Sequence, residues 1–179
     1  MKTKKCIMVT IFIMSIISTY AQSIEIKGER NTYIQSDDSP GFHVVYNKSN
    51  KFSKKTPSYL LFEHIPPITV GDKTELDSIV FFYFNPIFKK YAGDFNEFAA
   101  LKISLFSDIN GNIKDIRIAY PSEVEIIPIK IFEEFEAAVL QSNVKLVFDK
   151  DHHVFQGTAW VGQYAIYDPE KLRKCKDEH

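Results

Sequence analysis

The chain has 179 residues, of which 45% are hydrophobic and 14% aromatic, and its formal net charge is −1. A chain of this length can bury a core of its own as one domain, and its composition does not call for a second domain. The weakly acidic balance argues against nucleic acid or an anionic lipid surface as a partner, because basic surfaces bind both of these.

The N-terminal segment has the pattern of a secretory signal peptide. Three lysines within the first five residues precede a short apolar run, Ile7 to Ile17, and Ala21 follows at the position expected for cleavage. The run is too short to cross a bilayer comfortably, which disfavours the alternative of an uncleaved membrane anchor. We therefore predict that residues 1–21 are removed, that the mature chain starts at Gln22 without a membrane span, and that the protein is exported to the periplasm or beyond.

One cysteine remains after this cleavage, so no intramolecular disulfide is predicted. Cys175 lies among lysines in a charged C-terminal tail, residues 169–179, which is predicted to be a short helix or a frayed end. The lysines could lower the pKa of the thiol, but no motif places a histidine or an acid beside it. A residue without a specific role is therefore the favoured interpretation of Cys175.

The first third of the chain predicts short strands separated by polar loops. Alternating isoleucines indicate a strand at Ser23–Lys27, and an apolar, β-branched run indicates another at Phe42–Tyr46. The polar stretch between them, Gly28–Gly41, is typical of turns and loops. A lysine-rich loop is predicted at Asn47–Pro57, followed by a strand at Ser58–Glu63.

The segment Thr74–Tyr91 is ambiguous between a helix and a strand. Its apolar side chains recur at helical spacing, and Thr74 with Asp77 resembles a capping box. Against a helix, Ile79–Phe84 consists entirely of β-branched and aromatic residues, and Pro86 would break or kink it. We predict a helix that is interrupted near Pro86, with a strand as the alternative.

A β-hairpin and a helix are predicted in the second half. Apolar and polar residues alternate over Leu101–Leu105 and again up to Ile118, with a turn at Asp108–Asn112 between them. An amphipathic helix follows at Pro128–Ser142, because proline is accepted at a helix start. Its acidic residues are expected on the solvated side and not as a catalytic carboxylate pair; they are Glu133, Glu134 and Glu136.

Two further strands are predicted after this helix, at Val144–Phe148 and at Gln156–Tyr167. Trp160 and Tyr164 would share one face of the second strand, and they are the candidate binding residues. Gly157 and Gly162 in this strand indicate a bulge or a close approach of another backbone segment.

The turn between these strands holds the one plausible cluster of metal ligands in the sequence. The residues concerned are Asp149, Asp151, His152 and His153. Zinc sites have convergent ligands at fixed spacings, and no motif such as H-E-x-x-H occurs. We therefore predict no metal, no cofactor and no catalytic residue, and we retain His152 and His153 only as metal candidates to be tested.

The hairpin, the helix and the last strand together resemble the C-terminal domain of the TonB energy-transducing proteins. The resemblance covers residues 98–167 and is carried by the alternating strands, the turn at Asp108–Asn112 and the proline-led helix. It implies a unit that binds a short peptide of an outer-membrane receptor by strand addition, with the last strand as the binding edge. The whole chain also resembles small uncharacterised secreted proteins of Gram-negative gut bacteria.

Two TonB features are missing, since neither an uncleaved membrane helix nor a proline-rich spacer is recognisable, and force transduction is therefore not expected. We predict a single α+β domain at residues 22–168, with a mainly antiparallel sheet and two packing helices. The favoured function is a non-enzymatic envelope protein that binds a peptide or protein partner through a sheet edge. The alternatives are a small hydrolase or metal-dependent enzyme using Asp149–His153, and a structural subunit. The specific partner and the oligomeric state stay open.

Overall fold

The computed structural model describes residues 23–52 and 64–174, so the predicted signal peptide, the predicted strand at Ser58–Glu63 and Cys175 lie outside the described residues. No helix within those two ranges is long and apolar enough to cross a membrane. The strands are β1 (Ser23–Lys27), β2 (Thr32–Ser39), β3 (Phe42–Asn47), β4 (Thr69–Val70), β5 (Leu101–Ser107), β6 (Ile113–Pro121), β7 (Leu146–Val147) and β8 (Val161–Tyr167). The helices are α1 (Lys73–Lys90), α2 (Ile129–Gln141) and α3 (Pro169–Lys174), with a 3₁₀ turn at His153–Phe155.

The main sheet has the strand order β1-β2-β3-β6-β5-β8, and each neighbouring pair is antiparallel. β4 and β7 pair with each other in a separate two-stranded sheet. α1 contacts both α2 and α3, and α2 also contacts β6. This arrangement confirms the predicted α+β fold with a mainly antiparallel sheet, and it makes β1 and β8 the two edges of that sheet.

One face of the main sheet forms the hydrophobic core with the helices. Successive side chains of a strand point to opposite faces, so residues paired across neighbouring strands form rows on one face. The central row runs across β3, β6, β5 and β8 and consists of Val45, Ile118, Ile103 and Ala165. All four are buried, and the buried apolar residues of α1 and α2 belong to the same cluster. The core therefore lies between this row and the two long helices.

α1 is a continuous helix through the segment that the sequence left ambiguous. The predicted interruption is wrong, because Pro86 lies inside the helix. Phe82 and Pro86 both lie on its exposed side, so water can satisfy the carbonyl whose N–H partner the proline lacks. The predicted capping box is also wrong, since the side chain of Asp72 accepts the hydrogen bond from the Glu75 N–H instead. Burial of every fourth apolar side chain against the core outweighs the low helix propensity of this run.

The helix α2 confirms the prediction made from its apolar stripe, and Pro128 directly precedes its first residue. The expectation that all its acids are solvated is wrong. Glu133 is only 3% exposed and Glu136 only 6% exposed. The β1–β2 hairpin lies against this side of the helix and donates hydrogen bonds to both carboxylates. The side of the helix that carries Glu133 and Glu136 is therefore buried, although its residues are polar.

Three strand predictions need correction. The polar stretch predicted as a loop contains β2, which is stabilised by pairing with β1 on one side and β3 on the other. The strand predicted at Val144–Phe148 is reduced to the two residues of β7. The last strand begins at Val161, not at Gln156, because the 3₁₀ turn and the positive φ of Gly157 precede it. The hairpin β5–β6 and the strands β1 and β3 confirm their predictions.

Candidate binding site at the edge of the sheet

The C-terminal half of β8 is an open edge of the main sheet. The backbone N–H of Tyr164 donates to the side-chain oxygen of Gln163 at 2.8 Å, so this N–H points away from β5. Backbone groups of a paired strand alternate between its two sides, and those of Ile166 therefore also point outwards. The side-chain amide of Gln163 donates to the carbonyl of Ile68, next to β4. The first half of β8 is thus approached by another segment, whereas no segment among the described residues 23–52 and 64–174 pairs with the outer side of its second half.

The exposed side chains on this edge are large and apolar. Tyr164 is 68% exposed and Ile166 is 65% exposed. Natural sheet edges are usually protected by charges, prolines or covering segments, because an unpaired edge can accept a further strand. Among the residues that the structure describes, the Gln163 side chain protects this edge by accepting the Tyr164 N–H. The edge therefore combines outward-facing backbone groups with apolar side chains, and both features favour the addition of an extended segment.

A cavity of about 860 Å³ lies at the end of β8, between α1, α3 and the segment before β5. Ile166 and Tyr167 of β8 both line it. Its apolar walls come from Phe81 and Phe95, and the exposed Phe98 lies at its boundary. The volume is in the range of ligand-binding clefts and is large enough for one or more side chains of a partner.

Three polar side chains in this cavity bind one another. The Tyr167 hydroxyl donates to Asp77 Oδ1 at 2.8 Å. Lys73 Nζ donates to both oxygens of Asp77, at 2.6 and 2.9 Å, and lies 5.2 Å from the centre of the Tyr167 ring. Burial raises the pKa of Tyr167, and the hydrogen bond to the negative Asp77 raises it further. The phenol therefore stays neutral. The three side chains form a hydrogen-bonded polar wall of the cavity, and they do not provide a nucleophile with a free base beside it.

The two candidate binding residues from the sequence have different environments. Trp160 is buried, where it stacks on Phe52 with ring centres 6.2 Å apart and meets the edge of Phe106 at 5.4 Å. A side chain at Gly162 would approach the side chains of Trp160 and Phe106 at 3.3 Å, so the neighbours of this glycine are aromatic rings and not the backbone that was predicted. Tyr164 is on the open edge, so it is available to a partner and Trp160 is not.

Two of the four candidate metal residues accept hydrogen bonds from the backbone of their own turn. His152 Nδ1 accepts a hydrogen bond from the Val154 N–H at 3.3 Å, and Asp149 accepts one from the Asp151 N–H at 3.2 Å. The rings of His152 and His153 lie against each other, with centres 4.4 Å apart. Over residues 23–52 and 64–174, no group of three or more histidine, cysteine, aspartate or glutamate side chains converges as metal ligands would.

The structure also reveals a pair of buried carboxylates that the sequence pattern assigned to solvent. Glu133 accepts hydrogen bonds from the backbone N–H groups of three consecutive hairpin residues: Glu29 at 3.0 Å, Arg30 at 2.8 Å and Asn31 at 2.7 Å. Burial of Glu133 acts to raise its pKa, but these three bonds outweigh it and hold the pKa below its ordinary value. The carboxylate therefore fastens the turn of the β1–β2 hairpin to α2.

Glu136 lies one helical turn further on and has a contrasting environment. It accepts hydrogen bonds from the Tyr33 hydroxyl at 2.6 Å and from the Asn47 side-chain amide at 3.0 Å. Burial raises the pKa of Glu136, and the negative charges of Asp115 and Glu133 raise it further. The two hydrogen bonds lower the pKa but do not outweigh these effects. Among the residues described, these two neutral groups are its hydrogen-bond partners. The spacing of residues along α2 gave no indication that Glu136 is buried, because the hairpin that covers it is about one hundred residues away in the chain.

Comparison with solved structures finds a similar fold in a DUF5043 family protein from Bacteroides uniformis ATCC 8492. The TM-score is 0.56 and the sequence identity 16%, over 84% of this chain and 87% of that chain. At this identity the similarity establishes the fold alone. That neighbour comes from a gut bacterium, in agreement with the resemblance to uncharacterised proteins of such bacteria. No family model matches the chain, and no curated protein matches it either. The resemblance to the TonB C-terminal domain stays a prediction.

Proposed function

We propose that this protein is exported and binds an extended segment of a protein partner, which adds as a strand to the open half of β8. The observation that carries the proposal is the pair of exposed apolar side chains, Tyr164 and Ile166, on an edge with outward-facing backbone groups. In binding of this kind, main-chain hydrogen bonds supply affinity and pockets for alternate side chains supply specificity. The cavity beside Ile166 is suited to the second role.

The enzymatic alternative has less support. A hydrolase or metal-dependent enzyme would need several polar groups that converge on a substrate in a pocket. Asp149 and His152 instead accept hydrogen bonds within their own turn. The Asp77, Lys73 and Tyr167 side chains that do share a cavity are bonded to one another.

The experiment uses the chain from Gln22 onwards as bait on native envelope fractions, with covalent capture and quantitative mass spectrometry. The variants Tyr164→Lys and Ile166→Lys place a charge on the edge without touching the core face. The matched control is Phe82→Lys, since Phe82 is 72% exposed but lies on α1, away from the edge. We expect one partner to be retained by the control and reduced at least about ten-fold by either edge variant.

Capture of the same partner at equal yield by all three variants would overturn the edge as the binding site. The compartment is tested separately, by N-terminal sequencing of the protein from periplasmic and extracellular fractions. We expect a mature N-terminus at Gln22 in these fractions. An intact N-terminus confined to the cytoplasm would contradict export.

A further inference from the structure

The exposed side chains of β8 determine which side chains are favourable on one face of a strand that pairs with β8. Tyr164 and Ile166 are two residues apart and lie on the same face of the sheet, in cross-strand register with Ser104 and Lys102 of β5. Side chains of an added strand that lie directly opposite them are about 5 Å away on the same face and alternate with the same period of two. Apolar contact with both therefore requires apolar side chains at two positions, i and i+2, of the partner.

The partner residue between those two positions, i+1, lies opposite Ala165 and points to the other face of the sheet. On that face Tyr167 lines the cavity. The carboxylates lining this cavity outnumber the cations. Asp77 is neutralised by Lys73, and Glu170 is neutralised by Arg173 of its own helix. Lys174 is a second cation on Glu170, but its side chain is 75% exposed and does not line the cavity.

Three charged side chains lining the cavity remain after these pairs are removed. They are the carboxylates of Glu97 and Asp168 and the ammonium group of Lys171. Asp168 also accepts the backbone N–H of Glu170 at 2.9 Å, which uses part of its hydrogen-bonding capacity and leaves its charge in place. Among the side chains that line the cavity the remaining balance is negative, so a cationic side chain complements the lining better than an anionic one.

We infer, on the basis of the proposed function, that the partner segment is an extended strand with large apolar residues at positions i and i+2 and a lysine or arginine at position i+1. The two apolar side chains pack on Tyr164 and Ile166. The basic side chain enters the cavity near Glu97 and Asp168, along the apolar walls that Phe81 and Phe95 provide for its aliphatic part.

A phage-displayed library of random twelve-residue peptides tests this pattern, with selection on the chain from Gln22 onwards. A parallel selection uses the double variant Tyr164→Lys/Ile166→Lys. We expect the sequences enriched on the native chain, and absent from the variant selection, to share the apolar-basic-apolar pattern. Enriched peptides that depend on the edge but have helical spacing of their apolar residues, or an acidic central residue, would overturn this inference. The proposal that the edge binds a partner would then still hold. The same enrichment on both proteins would overturn the proposed function as well.

A charge exchange then tests the cavity. Replacing the central basic residue of the best selected peptide by glutamate should weaken binding roughly two- to five-fold, the usual size of one exposed ion pair. The variant Glu97→Lys should weaken the basic peptide and recover part of the affinity of the acidic one, as measured by isothermal titration. Equal responses of the two peptides to Glu97→Lys would overturn placement of the basic side chain in the cavity.

Discussion

The two ends of the main sheet differ in how they hold charged and apolar side chains, although β1 also exposes one apolar side chain, Ile24 at 50%. Near β1 and β2, two carboxylates of α2 are buried and bonded to the hairpin. Near β8, two large apolar side chains lie in solvent on a strand edge. A charge is costly to bury unless it is hydrogen-bonded, and an apolar edge strand is prone to pair with other chains. The first arrangement is explained within the molecule, whereas the second calls for a partner outside it.

This contrast separates residues that serve the fold from residues available for binding. The hydrogen bonds to Glu133 and Glu136 come from groups of the same chain, so substitution of these glutamates should affect stability. Tyr164 and Ile166 make their exposed surface available without supporting the core, so changing them should affect partner binding. Measurements of stability at both edges therefore test this distinction.

The largest effect is expected for Glu133→Ala, which leaves three N–H groups of the hairpin without their acceptor. We expect a loss of about 3 kcal/mol in the free energy of unfolding, since the three bonds are partly buried and a hydrogen bond to a charged group contributes about 1.5–3 kcal/mol. The measurement is urea denaturation at pH 7. The control is Glu134→Ala on the same helix, where the side chain forms an exposed ion pair with Lys130 at 3.8 Å and the loss should stay under about 0.5 kcal/mol. Similar losses in both variants would contradict the role of Glu133.

A smaller effect is expected for Tyr33→Phe, which removes the hydroxyl that donates to the buried Glu136. The carboxylate keeps the Asn47 amide, so we expect a loss of about 1–2 kcal/mol at pH 7. Tyr46→Phe on the neighbouring strand provides the control, because Tyr46 packs beside Arg117 on the other face of the sheet. The same denaturation experiment should give the control a change within about 0.5 kcal/mol. A Tyr33→Phe chain as stable as the control would show that the buried bond contributes nothing.

The two glutamates should respond to pH in opposite directions. The lowered pKa of Glu133 means that its carboxylate stabilises the fold above the ordinary glutamate pKa, and that this contribution is lost as the pH falls through the lowered pKa. The raised pKa of Glu136 means that the fold favours its protonated form, and that this contribution is lost as the pH rises through the raised pKa. Each slope is limited to about 1.4 kcal/mol per pH unit, the value for one proton.

Denaturation of Glu133→Gln and Glu136→Gln between about pH 3 and pH 8 checks these signs. The deficit of Glu133→Gln relative to the native chain should shrink towards acid pH. The stability of Glu136→Gln relative to the native chain should rise as the pH increases. Parallel curves for the native chain and the Glu136 variant would show that this carboxyl does not titrate differently in the folded protein.

The sequence predicts those elements whose signals are local. The β5–β6 hairpin follows from alternation and from a turn in which Asp108 accepts N–H groups of Asn110 and Asn112 and Gly111 has a φ of +82°. β2 was missed because its residues are polar and its stability comes from two neighbouring strands. A stretch of sequence carries no information about such neighbours, so pairing and burial imposed by distant segments escape this kind of reasoning.

The candidate site shows the same limit at the level of single residues. Trp160 and Tyr164 have the spacing of one strand face, yet β8 begins only at Val161, so the alternation does not extend to Trp160. The exposed position of Tyr164 follows from the place of β8 at the sheet edge, which depends on its pairing with β5. Glu133 and Glu136 flank the apolar stripe of α2, and only the docked hairpin decides that this flank is buried.

The smallest stability effect is expected at the open edge itself. Tyr164→Lys should change the free energy of unfolding by no more than about 0.5 kcal/mol, because its side chain is mostly in solvent. The matched comparison is Ala165→Lys, one residue further along the strand but on the buried face, where a charge should cost at least about 3 kcal/mol. Urea denaturation measures both. A loss above about 2 kcal/mol for Tyr164→Lys would mean that this tyrosine supports the fold. Its exposure would then no longer argue for a partner, and the difference between the two edges would disappear.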